Sequence, residues 1–246
     1  MAFAFVFPGQ GSQSVGMMAA YGDSAVVRST FDEASAVLGQ DLWQLLAEGP
    51  AEALAQTVNT QPLMLAAGVA AYRLWLDKGG RLPVVVAGHS LGEYSALVAA
   101  GVLAFTDAVP LVRLRAAAMQ DAVPAGTGAM AAILGLQDTQ VTEACVEAAA
   151  GEVVEPVNFN GPDQTVIAGS KAAVERACAA CKARGAKRAL LLPVSAPFHS
   201  SLLRPAADKL AQRLAELSLA APQIPVLNNV DVAIESDPSK IRDALI

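Results

Sequence analysis

Short apolar runs alternate with stretches of helical periodicity along most of the chain, which is the pattern of an α/β protein. Residues 2–7 read as a strand that stops at Pro8-Gly9-Gln10-Gly11. Residues 31–46 read as a helix, and Gln61-Pro62 opens another that runs to 76, with Thr60 as its N-cap. Residues 82–87 are apolar throughout, as in a strand buried on both faces of a parallel sheet. A helix follows over 91–100 and stops at Gly101. Thr106 is placed to cap the next helix, which runs to about 119.

The pattern then changes. Residues 128–134 read as a strand, 139–149 as a helix, 153–159 and 165–168 as strands, 171–184 as a helix and 188–194 as a strand. Asn160-Gly161-Pro162-Asp163 is the turn that joins the middle two strands. The order β-α-β-β-α-β is that of a ferredoxin-like unit. Residues 126–196 are therefore expected to be a small domain inserted into a larger one built from 1–125 and 197–246. The larger domain continues with a helix over 205–217 and a strand over 226–230. Ser236-Asp237-Pro238 starts one more helix, and the chain stops at Ile246 with no pattern for a C-cap, so a truncated C-terminus is expected.

Composition narrows the class. Of 246 residues, 54% are hydrophobic and 16% charged, which excludes intrinsic disorder. The mean hydropathy of +0.41 raises the question of a membrane. The longest uncharged interior stretch, 53–72, holds Gln56, Asn59, Gln61 and Pro62 and makes a poor span. No basic region precedes the first apolar run, so no secretory leader is expected and the chain reads as cytoplasmic. Lys and Arg number 17 against 23 Asp and Glu, a net charge of −6 that argues against broad nucleic-acid binding. One segment departs from this: Lys171, Arg176, Lys182, Arg184, Lys187 and Arg188 face a single negative, Glu175. It is either a solvated helix face or a surface for an acidic partner. Cys145, Cys178 and Cys181 form no disulfide framework, and the CxxC at 178–181 lies deep in a helical pattern with no histidine near it, so buried thiols are expected and no metal site.

The chemistry centres on Gly88-His89-Ser90-Leu91-Gly92, a G-x-S-x-G sequence between an apolar strand and a helix. That is the setting of a nucleophile elbow, and it gives the larger domain an α/β-hydrolase-like character. Ser90 needs a base. The chain has two histidines, and His89, adjacent on the tight turn, diverges from Ser90, which leaves His199. No third member stands out; Asp208, Asp231 and a backbone carbonyl all remain open for orienting the imidazole. An oxyanion hole needs two N–H groups. Leu91 supplies one, and the loop Pro8-Gly9-Gln10-Gly11 is placed to supply the other. Arg115 lies at the edge of an apolar helix face, a position that suits the rim of a pocket and a surface ion pair equally.

Taken together, Phe7-Pro8-Gly9-Gln10-Gly11-Ser12-Gln13, Thr60-Gln61-Pro62, Gly88-His89-Ser90-Leu91-Gly92-Glu93, Arg115 through Met119-Gln120, Gly126-Thr127-Gly128-Ala129-Met130, Asn158-Phe159-Asn160 and Pro197-Phe198-His199-Ser200 resemble the malonyl-CoA:acyl-carrier-protein transacylases of bacterial fatty-acid synthesis. Related acyltransferase domains occur in polyketide synthases. The resemblance implies that Ser90 carries a malonyl ester and that His199 acts as base and then acid. It implies that Arg115 pairs with the malonyl carboxylate, that the N–H groups of Gln10 and Leu91 hold the oxyanion, and that Gln61 and Asn160 lie close by. Phe198, before the histidine, would crowd a 2-methyl branch and disfavour methylmalonyl. Lys187 and Arg188 would meet the acidic carrier protein. The substrates implied are malonyl-CoA and acyl carrier protein, with no metal or redox cofactor, no nucleic acid and no membrane, and with the chain acting as a monomer. Family members continue past this chain's last residue, through an Asn-Pro-Val-x-Trp segment that helps orient the histidine. Two other functions stay open at this stage: a serine esterase or thioesterase, which shares the elbow but has no use for Arg115, and an inactive carrier-binding fragment.

Overall fold

The computed structural model describes residues 2–194 and 196–246. The chain is a mixed α/β protein, and its contacts divide it into two compact units: one of residues up to Ala117 together with Leu210–Ile246, the other of Ala118–Lys209. The division falls inside two helices, not in the connections that flank 126–196. Among the described residues no helix is long and apolar enough to cross a membrane.

The first unit is built on a parallel sheet. Strands β1 (Ala4–Phe7), β2 (Val85–Gly88) and β7 (Val226–Leu227) lie in the order β1-β2-β7, with Phe7 opposite Gly88 and Val86 opposite Val226. Its helices are α1 (Ala25–Leu38), α2 (Leu42–Glu48), α3 (Ala51–Leu54), α4 (Thr57–Asp77), α5 (Leu91–Ala99), most of α6 (Phe105–Asp121), the end of α9 (Arg204–Ala215) and α10 (Pro238–Ala244). Helix α5 packs on β1, β2 and α4. Phe7, Phe31, Leu63, Val86, Leu91 and Leu97 meet in one continuous apolar core.

Several boundaries differ from those the sequence predicts. The helix expected over 31–46 is two helices. Gly39, in the left-handed conformation, ends α1, and the Asp41 carboxylate accepts from Gln44 N–H at 2.8 Å to cap α2. Helix α4 begins at Thr57, so Thr60 is an interior residue whose hydroxyl donates to Leu54 C=O at 2.6 Å, and Pro62 sits inside the helix. Thr106 likewise lies within α6, which begins one residue earlier. Strand β7 stops at Leu227 because the backbone turns back at Asn228, whose N–H donates to Ala233 C=O at 3.0 Å.

The second unit contains β3 (Gly128–Leu134), α7 (Asp138–Ala149), β4 (Val154–Gly161), β5 (Gln164–Ser170), α8 (Lys171–Ala183) and β6 (Arg188–Leu191). The four strands form an antiparallel sheet in the order β4-β5-β3-β6. Alternation along the strands separates two apolar clusters. Ile133 and Ile167 pack with Val141, Val174 and Cys181, whereas Met130, Val166 and Ala168 pack with Phe198 and Leu203. Strand β4 is an edge strand, which accommodates Pro156 and two register shifts. Burial pushes the thiol of Cys145 up to about 12 and that of Cys181 up to about 11, so both are inert at neutral pH.

Candidate active site

The first unit brings Ser90 to a tight corner between β2 and α5. Ser90 has φ 50° and ψ −108°, a strained conformation for a residue with a side chain. Two glycines make the corner possible. A Cβ on Gly92 would lie 2.2 Å from the Phe7 carbonyl oxygen, and one on Gly88 would lie 1.9 Å from the Gly92 carbonyl carbon. The end of β1, the corner and the first turn of α5 are thus in backbone contact, and His89 N–H donates to Phe7 C=O at 3.0 Å. In the first turn of α5, Gly92 N–H donates to His89 C=O and Glu93 N–H to Ser90 C=O, while Ser90 N–H donates to Asn229 Oδ1 at 2.9 Å. Among the described residues no hydrogen bond occupies the Leu91 N–H, which therefore points from the positive end of the helix with its donor available.

Arg115 is buried, at 7% exposure. Its guanidinium donates to Ser90 Oγ at 3.1 Å and to Gln61 Oε1 at 3.0 Å, and it lies 5.4 Å from the centroid of the Tyr94 ring. Gln61 is itself 2% exposed, on the buried first half of α4. Among the described residues Arg115 enters no ion pair. The surface ion pair that its spacing equally allowed is thereby excluded. Gln10, on the loop after β1, donates through Nε2 to Thr57 Oγ1 at 3.1 Å, which ties that loop to the start of α4.

Beneath the corner lies Glu93, 5% exposed. Burial pushes its carboxyl up from the usual range, opposed by hydrogen bonds from Asn229 and by the charge of Arg115. Its Oε2 accepts from the Asn229 backbone N–H at 3.1 Å and from Asn229 Nδ2. Asn229 Nδ2 also donates to Gly88 C=O at 2.7 Å. Neither Asn229 nor this use of Glu93 emerges from the sequence reading. Both asparagines of Asn228-Asn229 read there as the end of a strand.

The remaining candidates lie in the second unit or its margins. His199 has φ 66° on a turn where Ser200 Oγ donates to Pro197 C=O at 2.8 Å. Ser201 anchors the same turn to β4 by donating from its N–H and Oγ to the Glu155 carboxylate at 2.7 and 2.8 Å. Phe198 is buried in the Met130 cluster, and Asn160 is exposed near the end of β4. Ser195, which precedes this turn, lies outside the described residues. Asp208 pairs with Arg204 at 3.5 Å, and Asp231 is exposed on the loop after β7. Of the basic segment, Arg176 pairs with Glu152 and Arg184 with Glu147. Lys187 and Arg188 are exposed and, among the described residues, enter no ion pair.

Residues 4–242 match the acyl transferase domain family. The chain is 62% identical to a malonyl CoA-acyl carrier protein transacylase of Escherichia coli K12, over 99% of this chain and 79% of that one. The chain belongs to the malonyl CoA-acyl carrier protein transacylase family. Among solved structures, it is similar to the acyl-carrier-protein S-malonyltransferase of Burkholderia pseudomallei, at 64% identity and a TM-score of 0.98, over 100% of this chain and 80% of that one. It is also similar, at 58% identity and a TM-score of 0.98, to a malonyl-transacylase solved in complex with its type II PKS acyl-carrier protein, again over 100% and 80% of the two chains.

The corner of this transacylase has no room for a methyl group at Gly92. Gly92→Ala is expected to destabilise the chain by about 3 kcal/mol, the upper range for overpacking, because the atom it meets is backbone. Guanidinium unfolding followed by circular dichroism measures this, and a loss under about 1 kcal/mol would mean that β1 can withdraw.

Proposed function

We propose that the chain transfers a malonyl group from malonyl-CoA to the phosphopantetheine thiol of an acyl carrier protein through an ester on Ser90. The observation that carries this proposal is the buried Arg115 guanidinium, without an ion-pair partner among the described residues, 3.1 Å from Ser90 Oγ. An ester of a simple fatty acid gives such a group nothing to pair with. A malonyl ester presents a carboxylate, which suits the planar fork of arginine.

His199 takes the Ser90 hydroxyl proton, which Arg115, having no acceptor, does not engage. Oγ attacks the thioester carbonyl, and the N–H groups of Leu91 and Gln10 hold the negative oxygen that forms. The carbon–sulfur bond breaks, and His199 returns the proton to the coenzyme A sulfur. In the second half His199 takes the proton of the carrier thiol, the thiolate attacks the ester carbonyl, the bond from that carbon to Ser90 Oγ breaks, and His199 returns the proton to Oγ. The sequence is ping-pong and balances without metal or redox chemistry. Gln61 steers Arg115, Asn160 contributes to substrate binding and Phe198 limits branching at the second carbon of the acyl group. Every group comes from one chain, in keeping with a monomer, and three free thiols suit the reducing cytoplasm. An esterase would leave the Arg115 charge without purpose.

The finer architecture belongs to the same proposal. A parallel sheet with the serine at a strand-turn-helix corner follows the α/β-hydrolase pattern. Residues 126–196, with their antiparallel order β4-β5-β3-β6 and two helices, follow the ferredoxin-like one. The exposed Lys187-Arg188 pair is the docking point for the acidic carrier.

Brief exposure to malonyl-CoA, followed by intact-protein mass measurement, is expected to give one malonyl adduct on the native chain and none on Ser90→Ala. An adduct that survives Ser90→Ala would overturn the assignment. Charge reversal by Lys187→Glu with Arg188→Glu is expected to slow transfer to the carrier at least about tenfold at low salt while leaving acylation by malonyl-CoA within about twofold. Equal losses in the two half-reactions would contradict docking at this pair.

A further inference from the structure

We infer that Asn229 is a positioning residue for the nucleophile, and that Glu93 holds it in that role. The inference rests on the proposal above that Ser90 is the attacking group.

One carboxamide spans the corner. Its Oδ1 accepts from Ser90 N–H at 2.9 Å, and its Nδ2 donates to Gly88 C=O at 2.7 Å, so both ends of the strained turn are tied to the same rigid plane. The second Nδ2 hydrogen goes to Glu93 Oε2, and the Asn229 backbone N–H donates to the same oxygen. Two acceptors face Nδ2 and one donor faces Oδ1, which leaves the carboxamide a single orientation. The loop that carries it is fixed independently. Asp231 N–H donates to Asn228 Oδ1 at 2.8 Å, and Asn228 N–H closes the loop on Ala233 C=O. Val232, with φ 53°, holds a conformation that a β-branched residue adopts only under constraint.

Two consequences bear on the reaction. The His89–Ser90 peptide cannot rotate to relieve the positive φ without breaking the hydrogen bond of its N–H to Asn229, and the Gly88 carbonyl is held by the same carboxamide. The Ser90 N–H is also occupied, so the developing oxyanion is left to the next N–H in the chain, that of Leu91. Toward Asn229, Glu93 serves as an acceptor, and a glutamine can accept the same two hydrogen bonds.

The test uses Asn229→Ala, the isosteric Asn229→Asp, Glu93→Ala and Glu93→Gln in the full chain. Rapid-quench mass measurement of the Ser90 ester against malonyl-CoA concentration gives a maximal acylation rate and a half-saturation concentration. Asn229→Ala and Asn229→Asp are expected to lower the maximal rate by about 10- to 100-fold, the effect of displacing a reacting atom by a fraction of an ångström. Half-saturation should stay within about threefold, because Arg115 still meets the carboxylate. Glu93→Gln is expected to recover most of the rate that Glu93→Ala loses. Backbone amide exchange at Ser90, slow in the native chain, should become fast in Asn229→Ala, which has no acceptor for it. Unchanged rates per folded molecule in the Asn229 variants would overturn the inference, as would a native Ser90 amide that exchanges as fast as an open loop. A native chain that forms no malonyl ester would refute the malonyl proposal instead, and the amide exchange would still decide the role of Asn229.

Discussion

Among the described residues no carboxylate pairs with the guanidinium of Arg115 inside the larger unit of this transacylase-family chain, and its surroundings are arranged around that charge. Burying Arg115 carries a desolvation penalty of several kcal/mol unless its hydrogens find acceptors. The structure supplies neutral ones, Gln61 Oε1 and Ser90 Oγ, with the face of Tyr94 beside them and the charge of Glu93 acting from beneath the corner. None of these forms an ion pair with it. Among the described residues the charge is left without a counter-ion, and under the function proposed above the malonyl carboxylate supplies it.

The corner that presents Ser90 depends on a second constraint, the contact of backbone with backbone. Phe7, Gly88 and Gly92 approach so closely that no side chain fits between them, which sets the start of α5 against the end of β1. Strain at Ser90 is the consequence, and hydrogen bonding balances it from three directions: α5 itself, Phe7, and the Asn229 carboxamide. The contacts that hold the turn occupy the N–H groups of His89, Ser90, Gly92 and Glu93 and, among the described residues, leave that of Leu91 without a hydrogen bond, so a single arrangement fixes both the serine and the donor beside it.

Much of this was legible in the chain. An apolar strand followed by Gly-x-Ser-x-Gly and a helical pattern locates the corner, because glycines at those two places have a steric reason that survives any context. The β-α-β-β-α-β order was equally readable, since strand and helix periods differ strongly there. Other features were not. Arg115 lies two residues from Arg113 on one helix, and local spacing cannot tell a buried arginine from a solvated one. The start of α4 was misread because Pro62 suggests a first turn, whereas the hydroxyl of Thr60 bonds back to Leu54 and lets the helix begin earlier. Asn229 could not be found at all: it meets Ser90 across 139 residues, and an asparagine after a strand is ordinarily a turn residue.

The account is tested most directly by the acylation rates with malonyl-CoA and acetyl-CoA, compared between the native chain and Arg115→Ala. If Arg115 serves the substrate carboxylate, the native chain favours malonyl-CoA, and Arg115→Ala slows malonyl transfer by about 100- to 1000-fold, the equivalent of about 3–4 kcal/mol, while acetyl transfer changes little. If Arg115→Ala slows both substrates to the same degree, the guanidinium serves Ser90 itself, and the claim that its buried charge selects the malonyl group is wrong.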